Sequence, residues 1–203
     1  MNYLAHLYLS APDEDALLGS LMGDFVKGPL DGRYGAGITQ GIALHRKIDS
    51  FTDAHPLVHE SKSRVSTERR RYAGIMVDMF YDHFLARYWP EFSDVPLAAF
   101  TLRVYDLLAR RSEILPERLQ RMAPYMRQTD WLGSYAEIES IHTALNNMGR
   151  RLKRENRLLD SAQELERDYA GFEWDFRAFF PDVQAFARGH ARATVVDGPT
   201  RVS

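Results

Sequence analysis

The chain contains no cysteine, which excludes disulfides, thiolate metal sites and a cysteine nucleophile. It also lacks a long apolar run. Its longest uncharged stretches, 1–12 and 34–45, are 12 residues each, whereas a bilayer-crossing helix needs about 20. The opening MNYLAHLYLS has no basic start ahead of its apolar part, so it does not read as a secretory signal. A cytoplasmic home with no membrane association is the expectation. Net charge is only −2, so overall electrostatics give no reason to expect a nucleic-acid partner.

What is present is enough for a core. Of 203 residues, 45% are hydrophobic and 27% charged, which fits one compact domain spanning 1–203. Helical periodicity dominates, and no stretch alternates as a strand does. Pro12 followed by three acids predicts a helix start, with the helix running to about Lys27 and stopped by Gly28-Pro29. Further helices are predicted over 38–54, from Pro56, over 72–89, 96–112, 131–153 and 160–180. Pro181 is expected to break the last, and the tail from about 190 to be loose. The fold class is therefore all-α.

The chemistry concentrates in three places. Residues 73–88, AGIMVDMFYDHFLARY, are apolar around nearly the whole circumference, as a buried central helix is. Yet they include Asp78, Asp82 and His83, with Asp78 and Asp82 one turn apart on a shared face. Buried, uncompensated carboxylates cost several kcal/mol, so a metal ion, arginines or a proton must accompany them. In residues 38–53, His45 and Asp49 stand four apart, a spacing that lets both reach one ion. Asp24 sits among leucines near the C-terminal end of its predicted helix, the unfavourable end for an acid. His6 is likewise embedded in leucines, where a hydrogen-bonded core histidine is the commoner outcome.

Several helices thus carry acids or histidines at the edge of an apolar face, as a carboxylate–histidine metal site requires. Oxygen and imidazole donors without sulfur suit manganese, iron(II) or magnesium, with zinc admissible. An Asp–arginine network is the competing reading, since 26 Lys+Arg include only four lysines. A di-iron carboxylate bundle fits poorly, because no Glu-x-x-His motif repeats. A non-catalytic helical module is the remaining alternative.

The fragments MNYLAHLYLS, LLGSLMGDFVKG (17–28), GIALHRKIDSFTD (41–53), VDMFYDHFLARYW (77–89) and WLGSYAEIESIHTALNNM (131–148) together resemble the acyl carrier protein phosphodiesterases. The resemblance covers roughly residues 1–180. It implies an HD-domain-like helical hydrolase, dependent on manganese, that removes 4′-phosphopantetheine from holo acyl carrier protein. The adjacent HD pair stands reversed here, as Asp82-His83, so roles pass only within the closer family. It implies a metal-site pool of Asp24, His45, Asp49, Asp78, Asp82 and His83, with His6 nearby. Asp24, Asp82 and His83 are the catalytic candidates. Arg46 and Lys47 are candidates for steadying the phosphate.

Two basic segments gain meaning from an acidic carrier protein. SKSRVSTERRRY (61–72) and RRLKRENR (150–157) each hold five basic residues and one acid. Arg69, Arg70, Arg71, Arg150, Arg151 and Arg154 are therefore expected to dock the carrier. The alternative function is an HD-like phosphohydrolase acting on a small nucleotide or other phosphoester.

Overall fold

In the computed structural model, which describes residues 1–152 and 156–196 with side chains through His190, the apolar stretch Ala73–Arg87 is the central helix. In chain order the helices are α1 (Tyr3–Leu9), α2 (Glu14–Met22), α3 (Ala36–Ala54), α4 (Pro56–Arg64), α5 (Ala73–Arg87) and α6 (Leu97–Arg110). They continue as α7 (Glu117–Gln128), α8 (Trp131–Ser134), α9 (Ile138–Arg151), α10 (Gln163–Arg167) and α11 (Tyr169–Val196). No strand occurs among the described residues. No described helix is long and apolar enough to cross a membrane.

α5 packs against α1, α4, α8, α9 and α11, which explains why it is apolar on nearly every side. α11 supplies the largest aromatic wall: Phe172, Phe176, Phe179 and Phe180 are all fully buried. Phe172 meets Phe80 edge-on at 5.1 Å, and Phe176 meets Tyr81 at 5.5 Å. Each such ring is worth roughly 1.5–3 kcal/mol of burial. That payload carries α11 straight through Pro181, contrary to the expected break. Proline deletes one amide donor, but the buried Phe179, Phe180 and Val183 around it hold the helix in place. The tail expected to loosen from 190 is helical to Val196, and 197–203 lie outside the described residues.

Two other boundaries differ from expectation. α2 ends at Met22 instead of about Lys27, and the amides of Phe25 and Val26 turn back to the Met22 carbonyl. Arg46 fixes that turn by donating to the Val26 carbonyl at 2.8 Å. The stripe 131–153 is split into α8 and α9, because Tyr135 between them is held by tertiary bonds. Its carbonyl accepts from His83 at 2.8 Å and its hydroxyl accepts from Asn2 at 3.2 Å. α7 is not among the expected helices, although Leu119, Met122, Ala123 and Met126 stand at helical spacing on its core-facing side; its internal Pro124 is what argues against a helix in the sequence.

α2 and α3 approach unusually closely. A Cβ on Gly41 would come within 2.9 Å of the Gly19 Cα and 2.6 Å of the Ala16 carbonyl oxygen. This contact sets the turn after α2 directly against the middle of α3.

Candidate metal centre

Three helices deliver the site. α1 carries His6, the turn after α2 carries Asp24, and α3 carries His45 and Asp49. The rings of His6 and His45 stack with centroids 3.7 Å apart and planes 18° from parallel. Both Nε2 atoms converge on one carboxylate: His6 lies 2.9 Å from one oxygen of Asp49, and His45 lies 3.2 Å from the other. Asp24 approaches His45 Nε2 at 3.7 Å. The imidazoles are buried, while the Asp24 and Asp49 side chains are 38% and 39% exposed. The group is therefore a floor of nitrogen donors beneath carboxylates that face solvent.

Ser20 ties the two histidines together. Its hydroxyl donates to the His6 carbonyl at 2.6 Å, and its own carbonyl lies 2.7 Å from His45 Nδ1. A carbonyl can only accept, so His45 Nδ1 carries a proton. In the neutral ring Nε2 is then the bare nitrogen, the tautomer a metal needs. His6 Nδ1 is buried and has no such partner. Gly23 closes the arrangement, since a Cβ there would overlap the His45 ring, 2.7 Å from its Nδ1.

The electrostatics favour a cation. Burial is the largest single influence on His45 and lowers its pKa, but the hydrogen bonds and charges of Asp24 and Asp49 outweigh it and raise the group to about 9. Burial dominates at His6 and lowers it to about 4, so that ring is neutral. Burial alone would raise Asp49 and Asp24, yet the histidines hold both below the usual carboxylate range. One donor atom from each of His6, His45 and Asp49 lies within 4.8 Å of the others, as a shared ion requires. Two imidazoles and a carboxylate, with a second carboxylate adjacent, fit a divalent metal.

A family model described as acyl carrier protein phosphodiesterase matches residues 1–183. A protein of that name from Photorhabdus laumondii is 37% identical over 185 residues, covering 89% of this chain and 92% of the relative. The chain belongs to the acyl carrier protein phosphodiesterase family. A relative from Serratia proteamaculans is 36% identical, across 93% of this chain and 98% of its own length. No solved structure matches the chain, so the HD-like resemblance stays with the sequence.

The structure gathers only part of the pool of residues that the family resemblance implied. His83 faces away: its Nδ1 bonds the Tyr135 carbonyl at 2.8 Å and its Nε2 bonds the Tyr169 hydroxyl at 2.9 Å. Asp82 is fully buried and accepts the amides of Leu4 at 2.8 Å and Ala5 at 3.2 Å. It thereby caps α1, whose own N-cap Asn2 makes no side-chain cap bond. Asp78 lies 3.0 Å from the Met1 amino group, which is 3.7 Å from Asp49. Arg46 is spent on the Val26 carbonyl. Lys47 lines a different cleft, with Asp13, Gln40 and His190.

The sequence reading overlooked Ser20, Gly19, Gly23 and Gly41. The available signal was glycines four apart, Gly19 and Gly23 in one stretch and Gly37 and Gly41 in the next, of which Gly19 and Gly41 meet each other. That spacing marks a helix face built for close approach.

Proposed function

We propose that this chain hydrolyses the phosphodiester joining 4′-phosphopantetheine to a serine of holo acyl carrier protein, with His6, His45 and Asp49 holding a divalent metal ion. The observation that carries this reading is the convergence of two buried imidazoles on opposite oxygens of Asp49. Manganese is the first choice of ion; iron(II), magnesium and zinc suit the same donors. Such an ion, when bound, lowers the pKa of the attacking water and neutralises charge on the phosphoryl oxygens.

The protein's own groups do the rest. Ser20 and Gly23 fix the His45 ring, and Asp49 bridges the two histidines. Asp24, ionised and half-open to solvent, accepts a proton from the attacking water. Arg46 acts as a positioning residue, pinning the turn that carries Asp24. Asp82 positions His6 by capping α1, and His83 braces α5 against Tyr135 and Tyr169. A water oxygen bonds to phosphorus as the serine oxygen leaves. The serine takes up a proton on the open side of the site, and 4′-phosphopantetheine is released.

The carrier is an acidic protein, and exposed arginines supply its landing surface. Arg71, Arg150 and Arg151 have no ion pair among the described residues and serve that role. Arg69 and Arg70 are occupied within the fold, by Glu164 and by the Ser63 and Val65 carbonyls. Arg154 lies outside the described residues.

The test is incubation with holo acyl carrier protein, with and without manganese, followed by the carrier's mass. Loss of the phosphopantetheine mass only when metal is present is the expected result. An unchanged carrier in the presence of metal-loaded protein would overturn the reading.

A further inference from the structure

A groove of about 440 Å³ runs between α7 and α9, over a floor of Tyr3, Trp131 and Tyr135. That volume is in the range of small-molecule sites. The groove begins one helical turn from the metal centre, because Tyr3 and His6 are three apart on α1 and so neighbours on its surface. Phe25, the residue after Asp24, stacks on Tyr3 at 6.1 Å, and the guanidinium of Arg118 lies 5.6 Å above the Phe25 ring.

The lining is unequally satisfied. On the floor, Trp131 donates to the Tyr135 hydroxyl at 2.7 Å, and Asn2 donates to the same oxygen at 3.2 Å. On the α9 wall, the side chains of Ser140, Thr143 and Asn147 make no hydrogen bond among the described residues. They stand at successive turns of one helix face, about 6 Å per four residues. Met122 and the 54%-exposed Tyr125 give the opposite wall apolar surface. Arg118 and Arg151 flank the groove, and neither forms an ion pair among the described residues.

We propose that this groove binds the pantetheine portion of the substrate, extended away from the metal centre, with Arg118 near its phosphate. The inference rests on the function proposed above and names where that substrate's arm lies. A pantetheine chain has two amides separated by two methylenes, which calls for polar partners spaced along an otherwise apolar trough. Ser140, Thr143 and Asn147 supply those partners, while Met122, Tyr125 and Trp131 cover the dimethyl and methylene groups. An anion is required at one end only, and unpaired arginines are present to meet it.

The test is isothermal titration of the manganese-loaded protein with 4′-phosphopantetheine and, separately, with inorganic phosphate. The wild-type protein is expected to prefer 4′-phosphopantetheine by tenfold or more. Thr143→Trp, which fills the groove from an exposed position, should erase most of that preference. Asn147→Ala, a change that adds no bulk, should reduce it several-fold. Equal affinity of the wild-type protein for the two ligands would overturn the inference, as would an undiminished preference in both variants. Neither result depends on turnover. Failure to release the arm from holo carrier protein would instead defeat the proposed function.

Discussion

Gly23 lies so close against the imidazole of His45 that no side chain fits there: an added Cβ would sit 2.7 Å from Nδ1. The glycine precedes Asp24, so one residue sets both the ring position and the approach of the carboxylate. Gly23→Ala should push His45 off the Ser20 carbonyl and weaken manganese binding by about 10–100-fold, the usual cost of losing a partner that orients a ligand. Overpacking should also cost roughly 1–3 kcal/mol of stability. Calorimetric metal titration beside thermal melting checks both. Unaltered metal affinity in a folded Gly23→Ala protein would remove His45 from the ligand set.

Asp82 provides a second separable prediction. Its carboxylate accepts the Leu4 and Ala5 amides across almost 80 residues of sequence, fixing the first turn of the helix that carries His6. Asp82→Ala leaves those donors buried without a partner, at a cost of about 1–3 kcal/mol. Asp82→Asn keeps one acceptor oxygen. Stability and activity should therefore fall in Asp82→Ala and recover in part in Asp82→Asn. Equal loss of activity in both variants, with full stability in Asp82→Asn, would point instead to a chemical role for the carboxylate.

These two residues also show how far the sequence could be read. The all-helical class and the buried centrality of 73–88 follow from residue spacing. So does the His45–Asp49 pair, because i,i+4 geometry is local. The fate of Asp82 and His83 was not legible, since a buried acid on a central helix looks the same whether it faces a metal or caps another helix. Only the docking of α1 onto α5 decides between them. Pro181 was misleading for a similar reason: the proline's local penalty is visible in sequence, whereas the aromatic packing that outweighs it is contributed by other helices.

The metal-free protein should respond to pH in a defined direction. His45 is raised to about 9 from an ordinary 6.5. The folded state therefore holds a proton that the unfolded state has released, and the stability this contributes is complete below 6.5 and lost as pH rises toward 9. Its size is on the order of 1–3 kcal/mol after allowing for the solvent-exposed carboxylate partners. Asp82, raised to about 7 chiefly by burial, adds loss in the same direction up to neutrality. Melting curves of chelator-treated protein from pH 6.5 to 9 should show a falling midpoint, with a flatter profile in His45→Asn. Manganese affinity should rise over the same range, because proton and metal compete for the same nitrogen.

The basic segments divide into structural and free arginines, and charge reversal should separate them. Arg69 meets the buried Glu164 at 3.2 Å, so Arg69→Glu places two carboxylates together and should cost roughly 1–3 kcal/mol of stability. Arg71 and Arg150 are exposed and make no ion pair among the described residues, so reversing them should leave the melting point nearly unchanged. If those two dock the acidic carrier, Arg71→Glu and Arg150→Glu should raise KM for holo carrier protein several-fold. The salt dependence of kcat/KM should also flatten, because long-range steering is what salt screens. Kinetics at low and high ionic strength measure this directly. A KM unmoved at low salt in the double variant would place the landing surface elsewhere on the protein.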